Sequence, residues 1–355
     1  MNRFLGLARN IALSNFRELA YPYRLTYILT YKCQFKCEMC GIWDKSPTRE
    51  MKLAEIETFF SISNHFSWIN LSGGEIFLRR DLPEIIDIIL KKCENLYLLD
   101  FPTNGYEVDR IVDVVMKIIS GNVLPKLLVT VSLDGPPDLH DRIRNRPGAW
   151  DRAVATFVRL RKLRSNSLNV FFGMTLQHAN MDSYSEMLRA VNCRIGGVRD
   201  KDIHINIVHS SPHYYGNMNA PSCQREKLLW DRLACITQSR TQPLFDPVGF
   251  LEKRYQTLSG RYLATNRTPV PCQALCASFF MDPAGIIYPC SIYDKPVGKI
   301  ADFGYDIKKL WATEERLKLR QEIKKGECSH CWTPCEAYQS ILARMIPRFE
   351  IKDNL

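Results

Sequence analysis

Between residues 23 and 217 short apolar runs alternate with longer stretches in which apolar residues recur every three or four positions. The runs are Leu25–Thr30, Trp68–Leu71, Leu96–Phe101, Leu127–Leu133, Val170–Leu176 and Ile203–Val208. Short apolar runs bounded by turn residues read as strands buried on both faces. The stretches between them, Leu53–Ser63, Leu82–Cys93, Val108–Ser120, Trp150–Arg164 and Ser183–Val191, carry the helical period. Strand and helix in strict turn predict a parallel α/β sheet with crossover helices. Six such strands build an open sheet or a partial barrel, and the pattern alone does not choose. Residues 1–20 place Phe4, Leu5, Leu7, Ile11, Leu13, Phe16 and Leu19 at helical spacing among Arg3, Arg9 and Arg17, a basic amphipathic helix closed by Pro22. Residues 218–271 read as linking helices, over Lys227–Thr237 and Phe250–Leu258. Asp282-Pro283-Ala284-Gly285 between apolar runs signals a hairpin, and Leu317–Ile323 is helical again.

The 355 residues are 46% hydrophobic, enough for a substantial core. Most of the thirteen cysteines fall in two clusters, which argues against a secreted disulfide scaffold. Arg9 interrupts any signal-peptide core, and no run of about 18 apolar residues occurs, so a cytoplasmic protein is expected. The formal charge of +10 favours an anionic partner: a phosphorylated or carboxylated substrate, an acidic peptide or a lipid surface. Nucleic acid is not expected, because no base-reading motif accompanies the charge. The first helix either packs on the body of the protein or makes peripheral contact with a membrane. Cys93, Cys193, Cys223 and Cys235 lie in or beside helical patterns and read as small packing residues.

The chemistry starts directly after the first strand, at Cys33-x3-Cys37-x2-Cys40. Thiolates are the usual ligands of iron–sulfur clusters. Three of them on a four-iron cluster leave one iron open for a substrate or cofactor. A second group follows in the C-terminal part: Cys272, Cys276, Cys290, Cys328, Cys331 and Cys335. Such a group in a cytoplasmic chain indicates metal, either zinc or a cluster. A zinc-stabilised binding protein without catalysis is therefore the rival reading.

The three-cysteine loop resembles the signature of the radical S-adenosylmethionine (SAM) enzymes. The resemblance implies a partial (β/α)6 parallel barrel, a [4Fe-4S] cluster on Cys33, Cys37 and Cys40, and SAM chelated to the open iron. It also implies reductive cleavage of SAM to a 5′-deoxyadenosyl radical, which abstracts hydrogen from substrate. An electron donor such as a flavodoxin or ferredoxin goes with that chemistry. Gly73-Gly74-Glu75 at the end of the second strand is similar to the family motif that holds the SAM ammonium, with Ile76 where relatives commonly carry proline. Its glycines allow close backbone approach to a ligand. Asn104 at the end of the third strand, and Ser132 and Asp134 with His140 and Arg144 after the fourth, resemble the branch that acts on peptides and other larger substrates. There Ser132 and Arg144 lie near SAM, and Met39 lies near its adenine. The loop His209–Asn217 is expected to face substrate.

The C-terminal cysteines resemble the auxiliary-cluster extension called SPASM and its shortened form, twitch. One analogy assigns an auxiliary cluster to Cys272, Cys276, Cys290 and Cys335, and the other to Cys272, Cys290, Cys328 and Cys331. The domains expected are an N-terminal helix (1–22), the radical SAM core (23–217), linking helices (218–271), a small cysteine-rich iron–sulfur domain (272–340) and a tail (341–355). The substrate stays open between a peptide and a small molecule or lipid.

Overall fold

A computed structural model describes residues 2–45, 49–163, 165–220, 227–239 and 247–345. Cys223, Arg164 and the last ten residues of the tail lie outside them. After α1 (Arg3–Phe16), six strands follow: β1 (Arg24–Thr30), β2 (Trp68–Gly73), β3 (Leu98–Thr103), β4 (Lys126–Ser132), β5 (Leu168–Leu176) and β6 (Ile203–Ile207). Each pairs in parallel with the next. The connecting helices are α2 (Leu53–Ile62), α3 (Leu82–Lys92), α4 (Val108–Ser120), α5 (Pro137–Arg144), α6 (Ala149–Arg161) and α7 (Tyr184–Ile195). The hydrophobic pattern thus located every strand of the core within a few residues. It missed α5, a polar helix that buries only His140 and Ile143 and so shows no apolar stripe.

One face of the sheet is an apolar layer against the helices. Leu25, Tyr27 and Leu29 of β1 pack with Ile56, Phe59 and Phe60 of α2. Burying each such side chain contributes about 1.5–3 kcal/mol. The opposite face is polar. The Arg24 guanidinium lies over the Trp68 ring, 3.9 Å from its centroid, and donates to Gln339 Oε1. Asp100 accepts from Trp68 Nε1 at 2.5 Å and from Asn70. Buried charges persist only when paired or hydrogen-bonded, and burial pushes the Asp100 carboxyl up from its usual range.

The C-terminal part continues this sheet. After α8 (Lys227–Ser239) and α9 (Pro247–Thr265), β7 (Ser278–Met281) pairs in parallel with β1, Arg24 opposite Ser278. The expected hairpin then adds β8 (Ile286–Tyr288) and β9 (Gly298–Lys299) antiparallel. The order is β6-β5-β4-β3-β2-β1-β7-β8-β9, so β6 and β9 are edges and the barrel does not close. Three helices finish the described residues: α10 (Ile307–Trp311), α11 (Glu314–Lys325) and α12 (Pro334–Arg344).

α1 ends at Phe16, short of Pro22, because Arg17 is already extended. It packs on the body through Leu7, Ser14 and Asn15, while Phe4, Leu5 and Phe16 stay exposed. Among the described residues no helix is long and apolar enough to cross a membrane. Cys93 is buried as expected, but Cys193 and Cys235 are exposed.

Candidate functional site

Parallel pairing brings the carboxyl ends of β1 to β6 to one rim, where α/β folds place their sites. β1 leads straight into the loop of Cys33, Cys37 and Cys40. The end of β2 presses against that loop. A Cβ at Gly74 would stand 2.2 Å from the Lys32 carbonyl oxygen, and one at Gly73 2.4 Å from that of Thr30. In the space left by the missing side chains, the Gly74 N–H donates to Thr30 O at 2.9 Å and the Glu75 N–H to Lys32 O at 2.8 Å. The two glycines therefore admit neighbouring backbone, where the sequence suggested a ligand.

Glu75 is fully buried. Its carboxylate accepts from the Asn104 N–H at 2.7 Å, from Thr103 Oγ1 at 3.1 Å to each oxygen, and from the Phe77 N–H at 3.3 Å. Burial pushes it up to about 7 against the pull of these donors. All four contacts come from the chain itself, so Glu75 ties the end of β3 to the end of β2. Asn104 Nδ2 in turn donates to Gln34 Oε1 at 3.2 Å. Gln34 Nε2 is buried beside the cysteines with no hydrogen-bond partner among the described residues.

Asp134, just past β4, is fully buried. Its Oδ1 accepts from the Thr175 N–H at 2.8 Å, and its Oδ2 lies 2.6 Å from Arg144 Nε. The Asp134 N–H donates to His140 Nδ1 at 3.0 Å. Burial, then the Arg144 charge, holds that imidazole neutral, well below its ordinary range. Arg144 Nη1 donates to Cys37 Sγ at 3.8 Å. Met39 packs with Ile143, Val208 and Cys37. Ser132 sits half-buried at the end of β4, paired in register with Gly173.

The loop after β6 clasps the cysteine loop from the far side. The Gly41 N–H donates to Tyr215 O at 2.8 Å, and Asn217 Nδ2 donates to Met39 O at 2.8 Å. Tyr214 hydroxyl lies 3.1 Å from Ser72 Oγ. The same loop reaches the second cysteine group: His213 Nε2 is 3.0 Å from Cys290 O, and the Trp332 N–H donates to His209 Nε2 at 3.0 Å. The loop expected to face substrate is thus largely a buried joint between the two cysteine groups.

Four of that second group line a small, partly open pocket. Cys272, Cys290, Cys328 and Cys331 surround it, with Ile292, Ile323 and His330. Backbone amides point at its sulfurs: Ala274 N to Cys272 Sγ at 3.4 Å, Ile292 N to Cys290 Sγ at 3.4 Å and Tyr293 N to the same sulfur at 3.3 Å. Cys276 and Cys335 are elsewhere. Cys276 packs with Leu7, Leu19, Tyr23 and Ala277 beneath α1. Cys335 opens α12 over the polar face of the sheet, within electrostatic reach of Arg24, Glu336 and Asp100. Residues 272–277 thus turn Cys272 into the pocket and Cys276 towards α1, while Cys335 lies within electrostatic reach of Cys331.

The radical SAM superfamily family model matches residues 27–191. Those residues of the chain form a radical SAM domain. The likeness to the superfamily's SPASM-type branch, drawn from the cysteine spacing, holds with it. The chain is similar to the antilisterial bacteriocin subtilosin biosynthesis protein AlbA of Bacillus subtilis, 27% identical over 191 residues, 51% of this chain and 39% of AlbA. It is also similar to the mycofactocin maturase MftC of Mycolicibacterium smegmatis, 24% identical over 328 residues, 89% of this chain and 76% of MftC. The chain thus aligns with well under half of AlbA but most of MftC. Among solved structures, anSMEcpe with bound AdoMet gives a TM-score of 0.59 at 16% identity, covering 84% of this chain and 83% of that one. Streptococcus suis SuiB bound to the precursor peptide SuiA gives 0.56 at 14%, covering 89% and 70%. At these identities the structural likeness is one of fold.

A radical SAM site requires three thiolates and a ligand beside them, and the residues present fit. Burial holds the Cys33 thiol up at about 12 and raises that of Cys37. Such thiols keep their protons at neutral pH unless a positive centre replaces them, as bound iron does. The Phe35 N–H already donates to Cys33 Sγ at 3.4 Å. Gln34 Nε2 supplies the unpaired buried donor. In the cavity, burial raises Cys272 and Cys328, while a hydrogen bond from Cys290 lowers Cys331. Among the described residues no three Cys, His, Asp or Glu side chains close around one ion. Four sulfurs on one zinc would lie within about 3.8 Å of each other, given Zn–S bonds of ~2.3 Å.

The sequence reading missed Gln34 and Gly41, and it placed Asn217 in the loop after the sixth strand without its contact to Met39. Gln34 and Gly41 flank the cysteines and were legible as part of their loop. Asn217 carried no local signal, since its partner Met39 lies far away in the chain.

Proposed function

We propose that this radical SAM enzyme is a maturase that modifies a peptide. The observation that carries the reading is the cysteine loop at the carboxyl end of β1, held by the ends of β2 and β3, by α5 and by the loop after β6. The names of AlbA, MftC and the sporulation killing factor maturation protein SkfB of Bacillus subtilis support a peptide substrate. So does the SuiB structure, which contains its precursor peptide.

In this reading Cys33, Cys37 and Cys40 hold a [4Fe-4S] cluster with one iron open to SAM. The cluster, when bound, supplies the electron that splits SAM into methionine and a 5′-deoxyadenosyl radical, which takes hydrogen from the peptide. Gln34 Nε2 is placed to donate to the ligand beside the cysteines. Met39, Asn104 and Ser132 line the same rim. Gly73, Gly74 and Glu75 act by fixing the shape of the loop, and Asp134 by fixing Arg144. Cys272, Cys290, Cys328 and Cys331 hold an auxiliary iron–sulfur cluster with no iron left open, suited to exchanging electrons with the site or steadying it. A flavodoxin or ferredoxin delivers the electron, and the protein works in the cytoplasm.

The test is anaerobic reconstitution, iron analysis and incubation with SAM, dithionite and a library of perdeuterated peptides. Two clusters per chain, 5′-deoxyadenosine formation and deuterium in that product are expected. Stoichiometric zinc without iron overturns the enzyme reading. 5′-Deoxyadenosine that never carries deuterium from any peptide overturns the peptide.

A further inference from the structure

Arg144 is held with unusual firmness for a residue resembling a cofactor ligand. Its Nε lies 2.6 Å from Asp134 Oδ2, its side chain is only 12% exposed, and Asp134 is wholly buried. Asp134 is itself fixed by the Thr175 N–H, by His140 through its own N–H and by Asn180 Nδ2, which donates to its carbonyl at 2.9 Å. On the cysteine side, the Glu38 N–H donates to Ile143 O at 2.9 Å, so the end of α5 and the loop move together. The guanidinium is thereby locked 3.8 Å from Cys37 Sγ.

We propose that Arg144 sets the reduction potential of the centre on Cys33, Cys37 and Cys40, by presenting a fixed cation to the Cys37 sulfur. The inference rests on the cluster assignment above. Hydrogen bonds to the ligating sulfurs and nearby charge are established levers on cluster potential. Reduction adds one electron to the cluster and makes or breaks no bond. A cation at the ligand sulfur stabilises the added charge and raises the potential. Asp134 acts through Arg144: its carboxylate holds the guanidinium in place and offsets part of its field. Set this way, the centre is reduced more easily before SAM arrives.

The experiment is potentiometry of the reconstituted full-length protein without SAM, followed by electron paramagnetic resonance. The signal of this centre is identified by its loss in Cys33→Ala. In Arg144→Met the reduced-to-oxidised ratio at a fixed potential should fall about tenfold, a shift of ~59 mV to lower potential for a one-electron couple. Arg144→Lys should retain most of the wild-type value. Asp134→Asn, which removes the opposing charge, should move the midpoint upward. Because Arg144→Met leaves a buried carboxylate alone, Arg144→Met/Asp134→Asn is measured as well, and it should fall below Asp134→Asn. Unchanged SAM-free midpoints in both Arg144→Met proteins, at full iron content, overturn the inference and leave Arg144 to SAM alone. Absence of iron from the wild-type protein overturns the cluster assignment and the inference with it.

Discussion

The two cysteine centres are built on opposite plans. The N-terminal one takes its three thiols from a single loop, so their convergence is local, yet almost everything that shapes the loop comes from elsewhere. The C-terminal one gathers four thiols, from Cys272 to Cys331, that only tertiary structure brings together, and it lines its cavity with apolar side chains. A local motif with distant supports can leave a coordination position free, because the supports and not a fourth thiol hold the loop. A closed four-thiol set has no such freedom. In the function proposed above, the first centre carries the chemistry and the second exchanges electrons or gives support.

The largest expected effect follows from replacing Cys33, Cys37 and Cys40 together by alanine. SAM cleavage should vanish and about half of the iron should go, leaving the C-terminal centre intact; iron analysis and chromatography of 5′-deoxyadenosine measure both. Loss of all iron would show that the two centres do not assemble independently.

The second effect separates the C-terminal cysteines. Cys290→Ala should lose the auxiliary cluster and still form 5′-deoxyadenosine with dithionite. Cys276→Ala should keep all its iron and cost about 1 kcal/mol of packing beneath α1, read by denaturant unfolding, and Cys335→Ala should also keep its iron. An iron loss in Cys276→Ala that matches that of Cys290→Ala would restore the alternative ligand set.

A third comparison uses pH. Glu75 under the first centre and Glu336 on the polar face near the second are both wholly buried, and burial raises each from 4.5 to about 7. Between about pH 4.5 and 7 the unfolded chain ionises these groups while the folded chain keeps them protonated. The folded state then binds more protons, so stability falls as pH rises through that window and levels off above it. Each group contributes up to about 3 kcal/mol of the fall. Glu75→Gln and Glu336→Gln should each flatten the apoprotein's stability profile there, as read by urea midpoints. An unchanged slope in either would show that its carboxylate is ionised throughout.

The smallest effect concerns Glu18, which pairs with Lys324 at 2.7 Å, Arg320 at 3.1 Å and Arg316 at 3.6 Å. Arg320 Nη1 also donates to Cys272 O at 2.8 Å. Glu18 is over a third exposed, so solvent weakens these pairs. Glu18→Gln should cost no more than about 1 kcal/mol and leave iron unchanged. Loss of auxiliary iron would make this surface link part of the Cys272 support.

Strand positions and the three-cysteine loop were legible in the sequence because their signals are local: apolar runs, helical spacing and three cysteines close together. The contacts of Gly74, Glu75 and Asp134 were not, since each depends on what lies opposite, respectively Lys32 O, Thr103 Oγ1 with the Asn104 N–H, and Arg144. Helix α5 escaped notice because its buried groups are too few to show a period. The C-terminal ligand set stayed open because Cys272 and Cys276 differ only in which way a short turn directs them. That β7 joins β1 is a pairing across some 250 residues, which no window of sequence reveals.

The contact between Gly41 and the loop after β6 has a consequence in time. A Cβ on Gly41 would lie 2.5 Å from Gly216 O, so the two backbones meet directly. They are separated by about 175 residues. At a synthesis rate of roughly 5–20 residues per second, the three thiols leave the ribosome about 10–35 s before the segment that covers them. The three thiols are therefore made well before the segment that encloses them. Under the proposed cluster assignment, iron–sulfur delivery and oxygen compete for the uncovered sulfurs during that interval.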